Sequence, residues 1–191
     1  MTERATTDSG FARLVSLACH DLRTPLATIG GFAKTLNRAG ELDGPSGHFV
    51  ELIDAAAEQM TGLLELLGLA ARIEGGRYGP ALTPADTLAL ASHGPPFVHA
   101  TGVGAEVETD GPAVALSLAA LGTAAARHGG VDEVTWTVDG RNLSLAPVNA
   151  DAAPVLLGTA PKDLGSLVAV RTLGALGVSV ELDVETLRVV F

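Results

Sequence analysis

His20 and Asp21 stand side by side in the stretch SLACHDLRTPLATIGGF, Ser16 to Phe32, with Thr24 and Pro25 following within a turn or so. A neutral imidazole, whose ordinary pKa is about 6.5, is a competent nucleophile near physiological pH. A neighbouring carboxylate can accept a ring proton or hold one tautomer. A hydroxyl four residues on, such as that of Thr24, shares the same side of a helix and can sit beside whatever the ring carries. Pro25 has no N–H, so the carbonyl of Asp21 loses its helical partner and a bend is expected there, exposing His20 further. A single histidine on a helix surface is ordinarily a plain solvated residue. The order histidine, acid, threonine, proline makes this one specific.

The element that must present these residues is an amphipathic helix. From Phe11 onward apolar residues fall at Leu14, Ala18, Leu22, Pro25, Ile29, Phe32 and Leu36, in steps of three and four, the seam of a helix packed on other helices. His20 lies about 200° around from Ala18 at 100° per residue, so it faces away from that seam. Ser16, Thr24 and Thr28 line up on its side as a polar ridge. Asp8 or Ser9 is the expected cap, leaving 1–10 as a flexible N-terminus. NRAGELDGPSG, Asn37 to Gly47, supplies turn residues. A second periodic run then follows through Phe49, Ile53, Ala56, Met60, Leu63, Leu67 and Ala70. The two helices make an antiparallel hairpin over 11–76 that cannot bury its apolar seam alone, so a homodimeric four-helix bundle is expected.

EGGRYGP, Glu74 to Pro80, marks the boundary to a second domain over 77–191. TPADTLALAS reads as a short helix capped by Thr83 with Pro84 in its first turn. PFVHA and GAEVET read as strands, and Gly111 to Gly130 as a helix ended by glycine. EVTWTVDGRNLSLAPV alternates as a hairpin turning at Asp139 and Gly140. KDLGSLVAVRTLGALG is a further helix and VSVELDVETLRVVF a closing hairpin. Helices on one face of a sheet built largely from hairpins give an α+β class.

With 47% hydrophobic residues the chain can build cores, and with 4% aromatics those cores must be Leu, Val and Ala. A formal net charge of −10 argues against nucleic-acid binding, which needs a basic stripe. Cys19 is the single cysteine, so no internal disulfide can form. No signal peptide or membrane span is read, and a cytoplasmic protein is expected.

HDLRTPLATIGGF resembles the H-box of the dimerisation and histidine-phosphotransfer domain of two-component histidine kinases: His, an acid, two variable positions, Thr or Asn, Pro, Leu. His20, Asp21, Leu22, Arg23, Thr24, Pro25 and Leu26 match every position. The resemblance covers roughly Phe11 to Gly75. It implies that His20 carries a phosphoryl group, that Asp21 is its acid–base partner, and that Thr24 holds the position family phosphatases use to place water. Ser16, Arg23 and Thr28 are then candidates for partner contact.

In that family an ATP-binding α/β sandwich follows, and the second half resembles one that has decayed. Aligned on TAAARHGG, the two asparagines of the family's N-box become Ala120 and Ala124, while Ala125, Arg127 and His128 keep the rest. Alanine offers no oxygen to Mg²⁺. Where the first glycine box should stand is NADAAP, Asn149 to Pro154, without the glycines that let backbone approach a nucleotide. Of the second box only Gly165 remains, near Leu164. Asp151 and His128 are expected as surface residues. The resemblance therefore points to a pseudokinase: a histidine phosphotransferase of bacterial phosphorelays, relaying a phosphoryl group between receiver aspartates through His20. It would carry no cofactor of its own, with Mg²⁺ on the partner receiver domain. Response-regulator receiver domains are the implied partners, with a hybrid histidine kinase as a further one. A sensor histidine kinase core with an aberrant ATP site and a non-catalytic receiver-binding scaffold are the alternatives.

Overall fold

The computed structural model describes residues 2–39, 45–160, 162–183 and 185–191. The chain divides into two compact units, Met1–Gly76 and Arg77–Phe191.

The first unit is a pair of helices, α1 (Thr2–Ala39) and α2 (Pro45–Glu74). Helix α1 starts well before the expected Phe11 and runs through Asp8 and Ser9, so neither caps it. TERATTDSG holds no proline, and Asp or Ser in mid-helix costs roughly tenths of a kcal/mol and Gly10 about 1 kcal/mol against a better former, which does not end a long helix. The helix also continues through Pro25 as one element. Within the expected loop, Asn37 to Ala39 are helical and 40–44 lie outside the described residues. Pro45 opens α2 at the first helical position, where its missing N–H costs nothing.

The two helices face each other through Ala12, Cys19, Leu26 and Ala33 on α1 and through Val50, Ala57, Leu66, Leu69 and Ala71 on α2, all buried. The α1 set repeats every seven residues and is mostly small, which lets backbones approach closely; Gly68 lies against Cys19. The larger apolar residues of the expected seam are not in this interface. Leu22, Ile29, Phe32 and Leu36 are exposed, as are Phe49, Ile53, Met60 and Leu63. A Lys34–Glu58 ion pair at 2.7 Å ties α1 to α2, and the Glu58 carboxylate with Asp54 nearby raises the Lys34 ammonium above its ordinary pKa.

The second unit is a five-stranded sheet of order β2-β4-β5-β7-β6, with a separate pair β1-β3. The strands are β1 (Thr83–Asp86), β2 (Val98–Gly104), β3 (Glu106–Thr109), β4 (Val134–Gly140), β5 (Asn142–Ala146), β6 (Ser179–Asp183) and β7 (Thr186–Val190). The helices are α3 (Thr87–Ala91), α4 (Gly111–Gly129), α5 (Ala153–Leu156) and α6 (Leu164–Ala175). Among the described residues only β2 and β4 pair in parallel, connected through β3 and α4; the other pairs are antiparallel. TPAD is strand and not helix start: Thr83 pairs with Thr109, and Asp86 is the cap of α3, accepting the Ala89 N–H at 2.9 Å. Proline suits an edge strand as well as a first helical turn, so the sequence pattern does not separate the two. Asp139 pairs with Asn142, so the tight turn is Gly140–Arg141, with Gly140 at φ 58°.

The sheet's core face is legible from alternation. Val134, Trp136 and Val138 of β4, Leu143 and Leu145 of β5, and Leu187 and Val189 of β7 are buried beside Val114, Leu118, Leu121 and Ala125 of α4 and Ala169 and Leu173 of α6. The residues between them on the strands are partly or fully exposed. One face carries the helices and the other meets solvent, the α+β layering expected.

Candidate functional site

Helix α1 presents His20 to solvent with 78% of its side chain exposed. Cys19, its neighbour, points into the hairpin, and a 100° step carries the next residue out of that interface. His20 Nδ1 lies 3.2 Å from Asp21 Oδ1. With Nδ1 engaged, Nε2 is the ring nitrogen left facing outward. Thr24 is exposed one turn on, and the Thr28 hydroxyl donates to the Thr24 carbonyl at 3.1 Å. Arg23 and Thr28 are exposed and Ser16 half-buried. The sequence-predicted residues thus lie on one helix, His20 and Asp21 in direct contact.

A second group of residues was not singled out as a unit by sequence reasoning. It joins the end of α4 to the start of α6. Asp163 caps α6, accepting the Ser166 N–H at 2.8 Å, and its side chain is only 8% exposed. Arg127 Nη1 donates to the same carboxylate at 3.2 Å. His128 Nε2 lies 3.5 Å from Asp163 Oδ2 yet is buried without an aligned hydrogen bond. His128 is therefore packed against Asp163 and is not the plain surface residue expected; Asp151 is exposed as expected.

Beside this group, Asn149 Nδ2 donates to the Gly129 carbonyl at 2.7 Å, and its Oδ1 accepts from the Ala152 N–H at 3.0 Å. An amide thus satisfies the orphan carbonyl at the end of α4 and starts the turn into α5. Its signal was present in the sequence, since Asn149 and Asp151 two residues on are both turn formers, but the pairing partner is distant in the chain. Ala124 is fully buried in the core and Ala120 is partly buried against it. Two grooves in this unit are lined by other residues. One of about 240 Å³ includes Glu108, Arg141 and Phe191, and one of about 500 Å³ includes Leu90, His93 and Leu116. Among the described residues no cluster of His, Cys, Asp and Glu has the arrangement of a metal site, and no helix is long and apolar enough to cross a membrane.

Residues 12–76 match the His Kinase A (phospho-acceptor) domain. A probable sensor histidine kinase of Mycobacterium tuberculosis, TcrY, is 32% identical over 77 residues, which is 40% of this chain and 16% of that protein. The chain thus spans about a sixth of the length of that curated relative. Two solved structures share the fold at 17% identity. Full-length ShkA in complex with AMPPNP has a TM-score of 0.57, covering 93% of this chain and 44% of that one. The Acinetobacter baumannii histidine kinase AdeS has a TM-score of 0.50, covering 89% and 94%.

The helical hairpin is a histidine-kinase-like phosphotransfer domain, and the mixed α/β sheet domain that follows it shares its fold with those two solved structures.

Proposed function

We propose that the protein is a histidine phosphotransferase that moves phosphoryl groups between receiver-domain aspartates through His20, without ATP. The observation that carries this reading is Asp163. At the start of α6, where the family's second glycine box is expected, a buried carboxylate holds the helix cap and pairs with Arg127 and His128. The cationic groups that a triphosphate would need already hold a protein anion. Ala120 and Ala124, at the N-box positions, add no oxygen for a hard cation, and the family's ATP and Mg²⁺ do not fit the residues present.

The transfer asks little of this chain. His20 Nε2 attacks the phosphorus of an aspartyl phosphate, an N–P bond forms, and the acyl-phosphate P–O bond breaks to regenerate the receiver's carboxylate. Positive charge develops on the ring, and Asp21 at Nδ1 stabilises it or takes the proton. The reverse step delivers the group to a second receiver. Phosphoryl transfer is mainly positioning and electrostatics, and an exposed histidine on a rigid helix supplies the positioning. Thr24 would orient a water for hydrolysis, and Ser16, Arg23 and Thr28 would contact the receiver. Mg²⁺ belongs to the receiver domain's own acidic pocket.

The exposed face of the hairpin supports a homodimer. Leu22, Ile29, Phe32 and Leu36 with Phe49, Ile53, Met60 and Leu63 form two apolar seams that a second hairpin would bury as a four-helix bundle.

The kinship to a probable sensor histidine kinase favours a second reading, an ATP-using kinase core. One experiment separates the two. The purified protein is incubated either with a ³²P-phosphorylated receiver domain lacking ATP or with γ-³²P-ATP alone. Label is expected from the receiver and not from ATP, and the His20→Ala variant is expected to take up none. Label from ATP onto His20 would establish the kinase reading instead; uptake by His20→Ala would remove His20 from both.

A further inference from the structure

Helix α2 ends at Glu74 and β1 begins at Thr83, so eight residues, 75–82, connect them outside any helix or strand. Gly75 and Gly76 close α2: their N–H groups donate to the Ala71 and Ile73 carbonyls at 3.1 and 3.0 Å, and Gly76 turns the backbone at φ 61°. Gly79 to Leu82 are exposed and make no backbone-to-backbone hydrogen bond among the described residues. Such a segment relies on side chains to hold it. Tyr78 supplies the hold. It is half-buried, and its hydroxyl donates to Asp110 Oδ2 at 3.0 Å. Asp110 is itself fixed, because its other oxygen caps α4 by accepting the Ala113 N–H at 3.3 Å. One carboxylate thus starts a nineteen-residue helix and fastens a residue 32 positions earlier in the chain. A hydrogen bond onto an ionised acceptor is stronger than a neutral one.

We propose that Tyr78 and Asp110 form a latch that sets the length of the tether between the two units. With the latch closed, the tether is Gly75, Gly76 and Arg77, which span about 10 Å at most when extended. With the latch open, it is the whole of 75–82 and spans up to about 27 Å. Tether length governs the effective concentration of one linked unit at the other, so opening the latch changes how freely the sandwich moves with respect to the hairpin that carries His20. The latch goes beyond the relay reading and holds whether His20 receives its phosphoryl group from a receiver or from ATP.

Limited trypsin digestion of the full chain reads the latch, because Arg77 directly precedes Tyr78 and a protease must draw an extended stretch around the cut bond into its cleft. Cleavage after Arg77, recognised by the masses of fragments 1–77 and 78–191, should be about tenfold faster in Tyr78→Phe, which keeps the ring and loses the hydroxyl. Asp110→Ser keeps an oxygen to cap α4 and withdraws the carboxylate, so it should speed the cut about as much. The double variant should be no faster than either single one. In ¹⁵N relaxation, Gly79, Ala81 and Leu82 should lose order in Tyr78→Phe. Folding is followed through the fluorescence of Trp136, the single tryptophan, which is buried in this unit. Should Asp110→Ser not fold, Tyr78→Phe alone decides. Unchanged cleavage in Tyr78→Phe overturns the proposal, as do additive effects in the double variant or an acceleration explained by an earlier Trp136 transition. Faster cleavage with Gly79, Ala81 and Leu82 still ordered overturns the longer tether. Failure of the wild type to take label from a phosphorylated receiver defeats the relay and leaves the latch standing.

Discussion

The two units handle apolar surface in opposite ways. In the sandwich, Trp136, Leu118, Leu121, Leu143 and Leu187 are fully buried, and the helices and sheet close on one another. In the hairpin the buried stripe is Ala12, Cys19, Leu26 and Ala33, while Phe32 remains 68% exposed and Phe49 60%. The exposed large apolar residues of the hairpin are what the proposed second copy would cover. The sandwich encloses its core of large apolar residues within itself. The difference also sorts their polar chemistry: His20 is held out to solvent, whereas Asp163, Arg127 and His128 are spent on one another.

The sharpest way to break this comparison is to make the hairpin's outer face polar. Phe32→Asp should leave the sandwich untouched and convert a dimer to monomers by sedimentation equilibrium. Each copy loses a side chain whose burial contributes about 1.5–3 kcal/mol, so the pair should weaken association by about 3–6 kcal/mol, roughly a hundredfold to ten-thousandfold. A wild type that sediments as a monomer would refute the dimer outright. The mirror-image change goes into the sandwich. Leu121→Ala should destabilise that unit by about 2–5 kcal/mol, through lost transfer energy and a residual cavity, read as an earlier Trp136 fluorescence transition with sedimentation unaltered. A transition displaced equally for both units would mean that they do not unfold independently. The smallest effect is expected at Lys34. Its raised pKa means that the Glu58 pairing favours the charged form, a contribution present at neutral pH and lost as pH rises through the folded-state pKa. Lys34→Met should lower the melting temperature only slightly at pH 7, and the difference from wild type should shrink further in high salt, because the pair is solvent-exposed. A large, salt-independent loss would show that the pair matters more than its exposure allows.

Much of the site was legible because its residues are local. His20, Asp21, Thr24 and Thr28 fall within three turns of one helix, so spacing alone put them on one side, and their exposure in the structure agrees with that reading. The Asn149 bridge to the end of α4 was not legible, since its partners lie twenty residues apart in the chain. The contact of Asp163 with Arg127 spans thirty-six. Turn and cap residues announce themselves in a sequence, but which distant group they meet does not.

Amino-acid order by itself determined the helical hairpin, the exposed face carrying His20 and most strands of the sheet, because periodicity and turn chemistry act over a few residues. It also marked one apolar seam on each hairpin helix, through Leu22, Ile29 and Phe32 on the first and Phe49, Ile53 and Met60 on the second. Tertiary structure alone decided which residues close the hairpin: Ala12, Cys19, Leu26 and Ala33 meet Val50, Ala57, Leu66 and Leu69, while Leu22, Ile29, Phe32 and Phe49 stay outside. It likewise decided that Asp163, one acid among many in an acidic chain, should be buried against Arg127 and His128, since charge pairing in a folded interior depends on where two distant helix ends are brought together.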